Sequence, residues 1–284
     1  MTQIVQSSVA TDWMQQWWRI WSGIVKIFLE PDTSLRCAGT AFFGFLSLFP
    51  AVGIFVFLYG LVADRGTLGE TIGSLQYLLP TPALAFLRDQ LGVIIAQPPA
   101  ALGLGLGISI VLALWSGSRG ISALIHAMSR VRGEPERRGF LGTVLVSVGL
   151  TVAGSIFLVI ALVTVAGLPA LLPFPSGQDL VVLLVRWPIL MVLTFAVLAG
   201  LYRWGPDRHP RRFGYIWPGA VVASLVWILA GVVFSIYVEN FGNFEASFGS
   251  VTAAVVLLLW MYNSAQIFVL GATFNAQLEA SKTP

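Results

Sequence analysis

Long apolar runs broken by short polar ones are the dominant pattern along the chain, and each run is about the ~20 residues that a helix needs to cross a bilayer. Six runs stand out, at about 36–62, 101–129, 140–166, 180–204, 214–238 and 251–277. They predict an all-α polytopic membrane protein with six transmembrane helices in one domain over 36–278, because a backbone in hydrocarbon must satisfy its own hydrogen bonds. Residues 1–35 predict an N-terminal cytoplasmic amphipathic segment, and 279–284 a cytoplasmic tail. From Asp12, placed to cap a helix, Trp13, Trp17, Ile20, Trp21, Ile24 and Phe28 recur at helical spacing. That face suits either the headgroup layer or the protein's own cytoplasmic end. Between the first two spans, Leu68, Ile72, Leu75 and Leu79, then Leu84, Leu87 and Leu91, are punctuated by prolines. They predict a periplasmic amphipathic helical hairpin whose helices are too short to cross.

Composition agrees with this pattern. The chain is 57% apolar and 10% charged, against about 25% charge in soluble domains. The lone cysteine, Cys37, rules out an internal disulfide framework. The net charge of +3 matters less than where the cations fall. Arg19, Lys26, Arg36, Arg130, Arg132, Arg137, Arg138, Arg203, Arg208, Arg211, Arg212 and Lys282 fall on one side of the six spans, and Arg65 and Arg88 on the other. Positive charge stays inside, so both termini are expected in the cytoplasm, and the basic loops read as topology signals rather than a nucleic-acid face.

Polar groups inside the runs are the candidate chemistry, since each is costly in hydrocarbon. Pro50 falls near the middle of span one and predicts a helix break there, with Ser47 near enough to help satisfy the freed carbonyl. Gly103 and Gly107, four apart with Gly105 between them, would permit close helix approach in span two. Arg119 lies three turns before Arg130, about 16 Å at helical rise. It reads either as an anion-binding guanidinium or as a snorkelling one. Arg186 lies about 9 Å into span four from its outer end. Glu239 and Glu245, at the outer end of span five and in the following turn, are its expected partners. Asn263 lies about 18 Å past Val251, close to the bilayer centre. Tyr262, Gln266 and Thr273 continue a polar stripe that serves either as interhelical glue or as cavity lining.

The chain resembles the YihY/BrkB family of bacterial inner-membrane proteins at Phe45-Leu-Ser-Leu-Phe-Pro50, Trp115-Ser-Gly-Ser-Arg119-Gly, Leu201-Tyr-Arg-Trp-Gly-Pro206, Ile216-Trp-Pro-Gly-Ala220, Phe234-Ser-Ile-Tyr237, Phe248-Gly-Ser250, Leu258-Leu-Trp-Met-Tyr262 and Leu270-Gly-Ala-Thr-Phe-Asn275. Phe244 and Phe248 stand where family members often have tyrosine. The resemblance implies a six-span protein of the bacterial inner membrane. It also brings a ribonuclease BN label, a virulence or serum-resistance label, and a similarity to proteins of envelope lipid handling.

The residues themselves discriminate among these. A metal-dependent nuclease needs clustered histidines and carboxylates. The only histidines, His126 and His209, lie in no ligand-spaced motif. No Gly-x-Ser-x-Gly elbow or Walker A run occurs. The sequence therefore favours a transporter or flippase of an anionic lipid or lipid-linked amphiphile, with Arg119, Arg186, Glu239, Glu245, Asn263 and Gln266 as candidate binding residues. A membrane scaffold of the envelope is the alternative. Expected partners are membrane lipids, the anionic amphiphile and a second copy of the chain, with no nucleic acid, metal or cofactor.

Overall fold

The structure, a computed structural model, describes residues 18, 22–23, 25, 30–62, 99–131, 138–171, 179–207, 216–240 and 250–280. Six long helices make up this part: α1 (Pro31–Val62), α2 (Pro99–Val131), α3 (Phe140–Leu171), α4 (Asp179–Trp204), α5 (Trp217–Asn240) and α6 (Ser250–Ala280). No strand occurs among the described residues. Five of the helices contain stretches long and apolar enough to cross a membrane, and α4 contributes a shorter one, Pro188–Trp204. This is the all-α polytopic architecture that the apolar pattern predicts. The expected hairpin (63–98), most of the tryptophan-rich N-terminal helix and much of the arginine loops lie outside the described residues.

Local chemistry sets the helix ends. Helix α1 starts earlier than its apolar run, because Pro31 suits a first helical position, where no amide hydrogen is needed. The Ser34 amide bonds the Glu30 carbonyl at 3.2 Å, and Asp32 faces the positive end of the helix dipole. Helix α3 runs past the end of its expected span at 166, so that Gly167 and Pro169 fall inside its last turns.

The helix break expected at Pro50 is not found, since α1 runs through it as one helix. Ser47 donates to the Gly44 carbonyl at 2.6 Å instead of to the carbonyl that Pro50 frees. The reason is geometric. A helical hydroxyl reaches three or four residues back, whereas the freed carbonyl, on Leu46, immediately precedes Ser47. Several other hydroxyls in the helices also bond their own backbone: Thr40, Ser116, Thr151, Thr194, Ser224 and Thr273 all bond a carbonyl four residues earlier. Each thereby removes its own polar cost in an apolar surrounding.

Helix α2 packs most extensively on α1 and also on α3 and α6; α6 packs on α5 and α1, while α4 packs on α3 and α5. Small residues allow the approach. A side chain at Gly120 would meet the backbone of Thr40 and Gly44 at 3.4 Å. Gly105 leaves room for the ring of Phe57. The pair expected to do this, Gly103 and Gly107, faces open space.

The buried core occupies only one end of the bundle. Every buried apolar side chain among the described residues lies in the half that carries Arg36, Arg130, Arg138 and Arg203. Positions five helical turns apart share a face at ~3.6 residues per turn, which makes the contrast direct. On α2, Met128 is fully buried while Ile110 is 40% exposed. On α6, Thr273 is 1% exposed and Val255 48%. On α1, Thr33 is buried and Ala51 exposed. Cover on these faces is lost away from the basic end, although α1 and α2 stay together there, with Phe57 against Gly105 and Ser109 beside Gly53.

Because backbone cannot retreat from a new side chain, Gly120→Leu is expected to lower stability by about 1–3 kcal/mol, whereas Gly107→Leu leaves it unchanged. Thermal unfolding of the two variants in the same detergent checks this.

Candidate functional site

The packed end is held by a set of directed polar contacts. Helix α5 begins Trp217-Pro218, so Gly219 carries one of the amides that have no partner inside the helix. Asn275, on α6 and fully buried, accepts from the Gly219 amide at 2.7 Å and donates from Nδ2 to the Ile216 carbonyl at 3.0 Å. This clasp requires backbones in contact. A Cβ on Gly219 would overlap the Gly271 carbonyl, and one on Gly271 would meet the Gly219 carbonyl, Ala223 and the Tyr202 hydroxyl. Tyr202, buried near the end of α4, donates to the Phe268 carbonyl at 2.7 Å. Helices α4, α5 and α6 thus meet at one point.

Arg138, just before α3, performs the matching role at the end of α4. Its Nη1 donates to the carbonyls of Gly205 (2.8 Å) and Trp204 (3.4 Å), and its Nη2 to that of Pro206 (3.3 Å). Its Nε lies 3.5 Å from Asp207, with only 14% and 15% of the two side chains exposed. A cation placed on unpaired carbonyls at a helix C-terminus also meets the negative end of the dipole. At the same end of the bundle, Arg130 lies 3.4 Å from both Glu30 and Asp32, joining α2 to the start of α1.

The polar stripe of α6 divides in two. Gln266 donates to the Tyr262 hydroxyl at 2.8 Å, and that hydroxyl bonds Ser34 in the first turn of α1. Tyr262 thus joins α6 to the helix end that carries Asp32 and Arg36, while the bond of Gln266 stays within α6. Ser264 accepts from Trp227 Nε1 at 2.9 Å, beside an aromatic series of Trp227, Trp260, Phe234 and Tyr237 along α5 and α6. Asn263 is half-buried and makes no hydrogen bond among the described residues.

The charged candidates are dispersed. Arg119 is exposed on α2 and has no ion pair or hydrogen bond among the described residues. Its neighbours Gly117 and Gly120 face α3 and α1 through Thr151 and Thr40, which leaves Arg119 on the remaining side. Arg186 and Glu239 belong to the backbones of α4 and α5, but their side chains, and all of Glu245, lie outside the described residues, so their expected pairing does too. His126 Nδ1 is 2.6 Å from the Ser122 carbonyl. No group of three His, Cys, Asp or Glu that could hold a metal occurs among the described residues.

The blocks that meet at the clasp, around Tyr202, Gly219 and Asn275, lie within the part of the chain that matches a known family. The profile of the family described as Virulence factor BrkB matches residues 24–284. The chain belongs to that family. Among relatives of the chain is a protein named putative ribonuclease-like protein YfkH, from Bacillus subtilis, 28% identical over 87% of this chain and 90% of its own length. Two others are named UPF0761 membrane proteins. The one from Idiomarina loihiensis is 26% identical over 71% of this chain and 69% of itself, and the one from Aeromonas salmonicida 27% identical over 86% and 83%. No solved structure matches.

Sequence reasoning missed Asn275, Tyr202 and Arg138 as individual actors. A signal was available for Asn275. Pro218 at a helix start leaves amides needing an acceptor, and the two Gly-containing blocks, Trp217-Pro-Gly and Leu270-Gly-Ala-Thr-Phe-Asn275, supply the close approach and the amide. Arg138 was counted only as a topology charge, and no local feature distinguishes it from Arg137.

Removing Arg138 leaves Asp207 and three carbonyls without their cation. Arg138→Ala is expected to cost about 3–5 kcal/mol. Asn275→Ala, which strands a buried amide, should cost about 1–3 kcal/mol. Denaturant unfolding of the detergent-solubilised variants measures both.

Proposed function

We propose that the protein moves an anionic lipid or lipid-linked amphiphile across the bacterial inner membrane, as a transporter or flippase. The observation that carries this reading is the one-ended core: faces buried at the basic end are exposed five turns farther along α1, α2 and α6. A bundle with its core at one end and uncovered helix faces at the other, beside an α1–α2 pair that stays in contact, suits one state of an alternating-access device. With the basic end in the cytoplasm, by the distribution of arginines, the opening is toward the periplasm.

The chemistry near the opening suits an amphiphile. The aromatic series on α5 and α6 gives an apolar wall, with the amide of Asn263, which bonds no described residue, close by in sequence to Trp260 and Ser264. Arg186 and Glu239 belong to the parts of α4 and α5 distant from the basic end, where a guanidinium can take a phosphate and a carboxylate can balance it. The ribonuclease-like name of the Bacillus relative points to another activity. That reading calls for an acid, a base and a phosphate cradle held together, and none of the contacts described above assembles them.

Two measurements test the proposal together. Ile110→Cys should react with a membrane-impermeant maleimide added from the periplasmic side, while Met128→Cys and the native Cys37, both buried, stay unlabelled. In proteoliposomes, the protein should accelerate translocation of a fluorescent anionic phospholipid, and Arg186→Ala should slow it by about tenfold, the scale of one lost charge-assisted contact. Equal protection of positions 110 and 128 would remove the open interior. Translocation no faster than in empty vesicles would remove the transport reading. Cleavage of transfer RNA by the same purified protein would replace it.

A further inference from the structure

The outer side of α2 carries a track that the transport reading does not use. Leu104, Ile108, Leu112, Trp115, Arg119, Ser122, His126 and Arg130 follow one another at intervals of three or four residues. At ~3.6 residues per turn they share a sector about 80° wide. The sector turns away from the contacts that α2 makes through Gly117 with Thr151 and through Gly120 with Thr40. Its character changes along its length. Leu104 (72%), Ile108 (62%), Leu112 (49%) and Trp115 (50%) are exposed and apolar. From Arg119 to Arg130, toward the basic end, every member of the sector is cationic or can donate a hydrogen bond.

The charges along this track are not equivalent. Arg130 is already engaged by Glu30 and Asp32. His126 directs Nδ1 to the Ser122 carbonyl at 2.6 Å, which leaves Nε2 as its outward group. Arg119 is exposed and has no counter-ion among the described residues. It also lies about 16 Å from Arg130, well inside the span. Snorkelling toward the basic end works against the helix, because side chains lean toward the helix N-terminus, and the N-terminus of α2 is the opposite end. A guanidinium kept at that depth needs an anion brought to it.

We infer that this face of α2 binds an anionic phospholipid of the leaflet at the basic end. The phosphate is held by Arg119, with Ser122 and the outward nitrogen of His126 as neighbouring hydrogen-bonding groups, and one acyl chain lies along Trp115, Leu112, Ile108 and Leu104. The order of groups matches the order of parts in a lipid: polar toward the surface, apolar toward the bilayer interior. A soluble anion would use Arg119 but not the apolar part of the track. A bound lipid here is a resident of the outer surface rather than cargo in the interior, so the site stands or falls independently of transport.

Native mass spectrometry of the detergent-purified protein provides the test, with dioleoyl phosphatidylglycerol and dioleoyl phosphatidylcholine as probes. Wild type should retain phosphatidylglycerol in preference to phosphatidylcholine. Arg119→Ala should weaken that retention about tenfold, the scale of one charge-assisted contact. Arg119→Lys, which keeps the charge but loses the planar fork, should fall between them. Because Arg119 contacts no described residue, melting temperatures should match wild type, and Arg119→Lys carries the test if the alanine variant does not fold. Equal retention by all three proteins overturns the site. So does displacement of phosphatidylglycerol by inorganic phosphate at equal concentration, which assigns the guanidinium to a soluble anion. A shift from dimer to monomer in Arg119→Ala with lipid retention unchanged gives the face to a second copy of the chain.

Discussion

The fold depends most on one buried amide. Asn275 supplies the acceptor that the start of α5 lacks and takes the carbonyl just before it. To do so it must bring two helices to backbone contact, which is why Gly219 and Gly271 face each other with no side chain between them. In a bilayer there is no water to drive helices together, so close packing and hydrogen bonds must supply association. Here both are concentrated at one point, to which Tyr202 adds α4. Arg138 continues the arrangement by fastening the entry of α3 to the exit of α4, and Arg130 joins α2 to α1.

All of these contacts lie at the same end, and that asymmetry has a mechanical consequence. Helices pinned at one end can move at the other without breaking any of the named hydrogen bonds. The exposed positions Ile110, Val255 and Ala51 mark faces without cover there, while α1 and α2 stay in contact through Phe57 and Gly105. A device that opens to alternate sides would have to loosen the clasp in its other state. Such a step would disturb the Tyr202 and Asn275 bonds before it disturbed the apolar core.

The polar groups of the spans therefore fall into distinct kinds. Hydroxyls bonded to their own helix cancel their own cost and do nothing further. Tyr262 and Ser34 link α6 to α1. Arg119 is a third kind, a charge with no described protein partner and an amphipathic surface on either side of it along α2. Such a residue is explained by its surroundings in the membrane rather than by the fold.

The sequence by itself determined the class of the protein. Apolar runs of membrane-crossing length and a low charge content permit little else, because hydrocarbon imposes its demand on composition residue by residue. The blocks around Tyr202, Gly219 and Asn275 were legible as family signatures, though not as a contact, since residues some 50 to 70 positions apart carry no mark of their pairing. Local rules set a break at Pro50, where α1 continues as one helix, and left open which of Gly103, Gly105 and Gly107 meets a neighbour, which is Gly105. In both cases the outcome depends on which side of a helix meets a neighbour. Only the tertiary structure decided that Arg138 is a helix cap, that Tyr262 ties α6 to α1, and that Arg119 faces outward. A side chain's chemistry is written in the chain, but its partner is chosen by packing.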